Sequence, residues 1–158
     1  MATLKPVQIA GWLKDVNDNF DTVETAITKI EGLNVTKFTF DTAAKDAAST
    51  PVSNKTVAAH PLAVTIPDNA IVIGGSIDVI AAVTSEGDAT VAISLVADND
   101  LLTATGKASL AIKAQLPLAA VIAAPIKLEA AKAVTVTVGT AALTAGKFDG
   151  YIIWIEGA

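Results

Sequence analysis

His60 is the only histidine in this 158-residue chain, and cysteine is absent. Few residues are therefore equipped for nucleophilic, redox or metal chemistry. A zinc site, a histidine pair and a thiol nucleophile are excluded within one chain, and a catalytic triad would rest on His60 alone, with Pro61 directly behind it. The expectation for His60 is a strand or loop residue without a special role. A ring of three His60 side chains about a threefold axis is the one way it could hold a metal. Sixteen acidic residues leave room for paired carboxylates of the glycoside-hydrolase kind, a spatial pairing that sequence does not display. There is no Gly-x-Ser-x-Gly elbow, since Gly75-Ser76 falls inside a predicted strand. Gly139 to Lys147 has the glycines and lysine of a phosphate loop, but the spacing is too long and Phe148 stands where Ser or Thr should bind magnesium. It reads as a hairpin. Asp98-Asn99-Asp100 opens like a calcium loop but lacks the glycine and closing glutamate, and reads as an Asx-stabilised turn. No catalytic constellation emerges, and no cofactor is expected.

Composition narrows the classes further. The chain is 52% hydrophobic yet only 4% aromatic, with much of the apolar content in Ala and Val. Small and β-branched side chains favour thin, closely packed β-layers over a roomy ligand cavity. The net charge of −5, with no basic cluster, argues against nucleic acid and against anchoring on anionic lipid. Mean hydropathy is positive, but the most apolar run, Leu116 to Ile126, contains Pro117 and Pro125 and is shorter than the ~20 residues of a membrane span. The opening MATLKP has no signal-peptide pattern, so a soluble chain without an export address is expected.

The element that organises the rest is Ile9 to Ile30. Leu13, Phe20 and Ile27 fall at heptad a positions, and Ile9, Val16, Val23 and Ile30 at d, with mostly polar residues between them. The stripe is as narrow as a coiled-coil contact requires. Asn17, Asp18, Asn19, Asp21 and Thr22 are weak helix formers, so a helix here needs a cover, and copies of itself are the simplest one. β-Branched residues at every d position disfavour parallel dimers, and Phe20 prefers a roomier core, which makes a homotrimer the expected state. The competing reading is a lone amphipathic helix packed on its own domain.

The expected organisation is an oligomerisation helix over residues 1–33, a strand (Val35 to Phe40) and linker over 34–54, and a β-domain over 55–158. Pro6 suits the first helical turn and Gly32 the C-terminal cap. Asp41 to Asn54, rich in Ala, Ser and Thr, reads as a loop and hinge. Val57 to Ile66 is a strand interrupted by Pro61 and fit for an edge. Ala70 to Thr84 is the strongest strand, with a bulge or close backbone approach at Gly74-Gly75. Ala89 to Val96 is expected as its antiparallel mate. Leu101 to Thr105 stays open between helix and loop, Ile126 to Leu128 is a short strand, Ala133 to Val138 a clean one, and Leu143 to Lys147 a turn. Phe148 to Glu156 is a final central strand, buried on both faces. These elements predict a mainly β protein: an antiparallel β-sandwich, jelly-roll-like, preceded by a coiled-coil-type α-helix.

The run Pro67-Asp68-Asn69-Ala70-Ile71-Val72, the stretch from Ile77-Asp78-Val79 through Ser85-Glu86-Gly87-Asp88-Ala89-Thr90-Val91-Ala92-Ile93, and the later Ala142-Leu143-Thr144-Ala145-Gly146-Lys147 together look like small tailed-phage virion proteins. Those are typically structural, head-fibre or capsid-decoration proteins. The resemblance covers mainly residues 66–96 and 133–156. A helical segment joined to a β-domain is similar to many trimeric phage fibres and spikes, although the repeated shaft of a long fibre is missing. The resemblance implies a non-enzymatic virion component on the particle exterior, with the major capsid protein or another virion protein as partner, and carries over no catalytic or cofactor residues. Two alternatives stay open: a module binding a host surface glycan or receptor, which exposed groove aromatics would favour, and a small jelly-roll hydrolase or isomerase, which a single histidine and no cysteine disfavour.

Overall fold

The computed structural model describes residues 32–157, so the predicted helix and its seam lie outside the described residues. Within them, β-strands dominate and no α-helix occurs. The strands are β1 (Leu33–Asp41), β2 (Ala58–Ile66), β3 (Ala70–Ser85), β4 (Thr90–Ser94), β5 (Leu102–Gly106), β6 (Gln115–Pro117), β7 (Ile126–Lys127), β8 (Lys132–Gly139) and β9 (Leu143–Glu156), with one 3₁₀ turn at Lys107–Ser109.

Alternation explains most of them. In β8, Val134, Val136 and Val138 are buried while Thr135 and Thr137 are half-buried, the period-two pattern of a strand with one core face. Val136 pairs with His60 of β2 on one side and Ile93 of β4 on the other, so these residues form one row across the sheet.

The strands form two sheets. One runs β1-β9-β3-β6, with β7 also bonded to β3, and the other runs β2-β8-β4-β5. Buried side chains of both sheets belong to a single hydrophobic cluster. Phe40 of β1 stacks on Phe148 of β9 at 5.1 Å between ring centroids, and lies 6.2 Å from the His60 ring of the other sheet. Fully burying such a side chain is worth about 1.5–3 kcal/mol.

Several expectations change. Ala89–Val96 is not the mate of β3: β4 pairs with β5 and β8, while β3 pairs with β9, β6 and β7. The short Glu86-Gly87-Asp88 link hands the chain to the other sheet instead of folding it back on itself. Leu102–Gly106 is a strand. Leu143–Lys147 is the start of β9, not a turn. Gly146 sits there, at φ 150°, because its α-carbon lies against Val83, where a Cβ would come within 3.0 Å of the Val83 backbone. The reversal falls earlier, at Thr140 (φ 67°), where Ala141 N–H donates to the Gly139 carbonyl at 2.8 Å. That is a strained γ-turn, tolerable for a single exposed residue. It carries the chain from one sheet to the other, so it is not a hairpin. Finally, β9 is central as expected but buried on one face only: Phe148, Ile152 and Trp154 are buried, whereas Tyr151, Ile153 and Ile155 are half-exposed.

Candidate functional site: a buried histidine and a divided sheet face

The four buried polar residues of the described chain lie close together: Thr42, Asp46 and Asn54 in the loop between β1 and β2, and His60 near the start of β2. Asp41 caps the start of the loop by accepting from Ala43 N–H at 2.8 Å. Asn54 donates its amide to the Asp41 carbonyl at 3.0 Å, and Asp46 N–H donates to the Val52 carbonyl at 3.0 Å. The Asp46 carboxylate takes backbone N–H groups of Ala48 (3.3 Å) and Val52 (3.1 Å) on one oxygen and faces His60 Nδ1 at 3.1 Å with the other.

His60 Nε2 lies 2.9 Å from the Thr56 carbonyl oxygen. Both ring nitrogens thus face oxygen atoms, one of a carboxylate and one of a carbonyl. Burial pushes the Asp46 carboxyl up, but hydrogen bonds from His60, Val52 and Ala48 outweigh it and hold the group below its ordinary value. His60 has no free nitrogen and no exposed surface. The threefold histidine metal ring is therefore ruled out, and His60 serves as a clamp between loop and β2 instead of a residue without a role. Sequence could not show this, because the partner is contributed by a loop fourteen residues earlier with no motif of its own.

β1 and β2 are edge strands of their sheets on the same side. Between them runs an open groove of about 570 Å³ lined by both strands and the loop, with Lys37, Asp41, Asn54 and Leu62 among its walls. The Asn54 side-chain oxygen is buried there without a hydrogen-bond partner. Lys37, Pro61 and the register irregularity between Pro61 and Thr65 guard these edges against uncontrolled strand addition.

The outer face of the β1-β9-β3 sheet is split in two. Toward one end it is ionic. Lys37 pairs with Asp149 at 2.8 Å, Lys147 pairs with Asp41 at 3.0 Å, and Thr39 donates to Asp149 at 2.6 Å. The Lys37 and Thr39 hydrogen bonds hold Asp149 below the usual carboxylate value, and the Ala43 N–H followed by Lys147 does the same for Asp41. Lys37 is raised in turn, by Asp149 first. Toward the other end the outward residues are apolar: Val35 is 60% exposed, and Ile71, Ile73, Ile153 and Ile155 are half-buried. Ile71 faces Ile155 directly across the β3–β9 ladder. The boundary falls at Tyr151, whose ring has the Lys37 ammonium 5.7 Å from its centre.

The remaining sequence-level sites resolve simply. Asp100 accepts three backbone N–H groups, from Leu95 (2.7 Å), Val96 (2.8 Å) and Ala97 (2.9 Å), so Asp98-Asn99-Asp100 is a side-chain-stabilised turn, as expected. Among the described residues no group of three or more His, Asp or Glu is placed to hold a metal ion, and no helix is long and apolar enough to cross a membrane. The expected oligomerisation residues, Ile9, Leu13, Val16, Phe20, Val23, Ile27 and Ile30, lie outside the described residues.

No family model and no curated protein matches the sequence. The fold is similar to chains in three capsid structures. One is the acidic stable capsid of Helicobacter pylori bacteriophage KHP30, at TM-score 0.54 and 16% identity, covering 80% of this chain and 89% of that one. A second is the cyanophage Pam1 capsid asymmetric unit, at 0.56 and 14%, covering 78% and 84%. The third is the capsid of Ralstonia phage GP4, at 0.51 and 18%, covering 79% and 86%. At these identities the likeness is one of fold.

Proposed function

We propose that this chain is a non-enzymatic structural protein of a tailed-phage virion: a homotrimeric capsid-decoration or head-fibre protein on the particle exterior. The observation that carries the reading is the strand order. With β7 set aside, β1-β9-β3-β6 opposite β2-β8-β4-β5 is the order produced when eight strands wind through two Greek keys. This supports a jelly-roll sandwich, an architecture used by viral capsid and lectin domains. The phage-capsid chains of similar fold point to the first of these. This chain and each of those chains cover most of one another, so the likeness extends over the whole sandwich.

In this reading the seam Ile9, Leu13, Val16, Phe20, Val23, Ile27 and Ile30 gathers three copies, and the trimer docks on the major capsid protein or another virion protein. Three weak contacts made together gain avidity, and preferential binding to the assembled shell stabilises it by mass action. The alternative of a glycan- or receptor-binding module has less to rest on. Phe38, Phe40, Phe148 and Trp154 are buried, which leaves Tyr151, half-exposed and beside the Lys37 ammonium, as the one described aromatic residue that reaches the surface.

Two measurements test the proposal. Peptide mass spectrometry of density-purified particles of the phage carrying this gene should find the chain in stoichiometric amount; its absence from purified particles overturns the virion reading. Light scattering should give a trimer mass for the full chain and a monomer mass for the double variant Phe20→Asp/Val23→Asp; a monomeric wild type overturns the seam.

A further inference from the structure

We infer that the apolar half of the outer β1-β9-β3 face packs against neighbouring copies of this chain around the assembly axis. The inference rests on the seam-driven assembly proposed above and adds the surface that the β-units use.

The face carries two kinds of side chain with opposite needs. In its ionic half, Lys37, Thr39, Asp41, Lys147 and Asp149 already satisfy one another, so that half is complete in water. The apolar half has no such closure. Val35, Ile71, Ile73, Ile153 and Ile155 leave branched hydrocarbon partly exposed on one contiguous area of a sheet whose opposite face is the core. Contiguous apolar area of this kind marks a contact surface.

The occupant follows from where the chain enters. Only Glu31 and Gly32 separate Ile30, the last seam residue, from Leu33 at the start of β1, and the three Cα-to-Cα steps between them span at most about 11 Å. Any assembly that brings the seams of several copies together must bring the first residues of their β1 strands together as well. Val35 lies two residues into β1, at the end of the face where Ile71, Ile153 and Ile155 also lie; the ionic pairs begin at Lys37, farther along. In a closed cyclic assembly residues beside the axis meet their own counterparts, so Val35 and the half-buried isoleucines next to it pack together where the chains enter.

The absence of cysteine gives a clean test. The full chain carrying Val35→Cys, and separately the full chain carrying Thr39→Cys in the ionic half of the same strand, are treated with a short bis-maleimide, and their masses are measured by light scattering. With a trimer mass, Val35→Cys should form covalent dimers at least about tenfold faster than Thr39→Cys, because its partner is held at high effective concentration. In a threefold assembly the covalent dimer should take up no more than about two-thirds of the chains, the third subunit being left without a partner. A trimer in which Val35→Cys links no faster than Thr39→Cys overturns the inference and leaves the seam standing. A monomer overturns the seam, and this inference with it.

Discussion

The Phe38 ring occupies the space that a Cβ on Gly150 would need. Phe38 is in β1 and Gly150 in the neighbouring β9, so the missing side chain on one strand admits the ring of the other into the core. Gly150→Ala should therefore lower the unfolding free energy by about 1–3 kcal/mol, the usual cost of overpacking, as read from urea denaturation. Combining it with Phe38→Leu should cost less than the sum of the two single changes, because the smaller side chain vacates the same space. Strict additivity would show that ring and glycine are not coupled.

His60 and Asp46 should behave as one unit. His60→Ala leaves the Asp46 carboxylate buried opposite an empty space, and the melting temperature should fall by roughly 10 °C. The double variant His60→Ala/Asp46→Ala should melt above the value expected from adding the two single losses. A His60→Ala protein that melts like wild type would remove the clamp role.

Acid should destabilise the fold through named carboxylates. Asp41, Asp46 and Asp149 all sit below their ordinary value of 3.8. The unfolded chain therefore takes up protons at a pH where the folded one still resists them. Their contribution is complete above 3.8 and is lost as pH falls through the lower, folded values. Melting temperature should be flat from neutral pH down to about pH 5 and then drop. Asp149→Asn and Asp41→Asn should lower the plateau and shallow the acid limb; an unchanged limb in both would show that other groups set it.

Asp100 offers its oxygens to backbone N–H groups, which leaves little for a cation. Asp100→Ala should cost about 2 kcal/mol, in the range of hydrogen bonds to a charged group. Millimolar calcium should leave the wild-type melting curve in place. A rise on adding calcium would mean that the turn opens to a metal.

The parts of this fold written in local chemistry were readable from the sequence. β8 announced itself through Val134, Val136 and Val138, and the glycine pair in β3 foretold an irregularity, which appears as the register shift between Val72 and Gly74. Strand partners were another matter. Glu86-Gly87-Asp88 looks like a hairpin turn, but whether such a link returns to its own sheet or crosses to the facing one depends on which buried faces must meet, and no local residue encodes that. Similarly, Tyr151, Ile153 and Ile155 read as core because sequence reports hydrophobicity and not which side of a sheet is covered. The Asp46–His60 pair left no signal at all: one lone acid and one lone histidine acquire meaning only when the loop folds over β2.

The position of β9 between β1 and β3 also sets the order in which the molecule can come into being. β9 is the last of the nine strands to be synthesised, and until it exists β1, the first, has no neighbour in its sheet. A chain still being made carries Phe38 and Phe40 with nothing to bury them. Closing a sheet from such distant pieces is slow compared with local pairing, and an interrupted product would expose both rings and open strand edges, the features that drive aggregation. Only chains that include β9 can close the β1-β9-β3-β6 sheet, so a check on completeness of the sandwich is built into the winding of the strands, ahead of any assembly step.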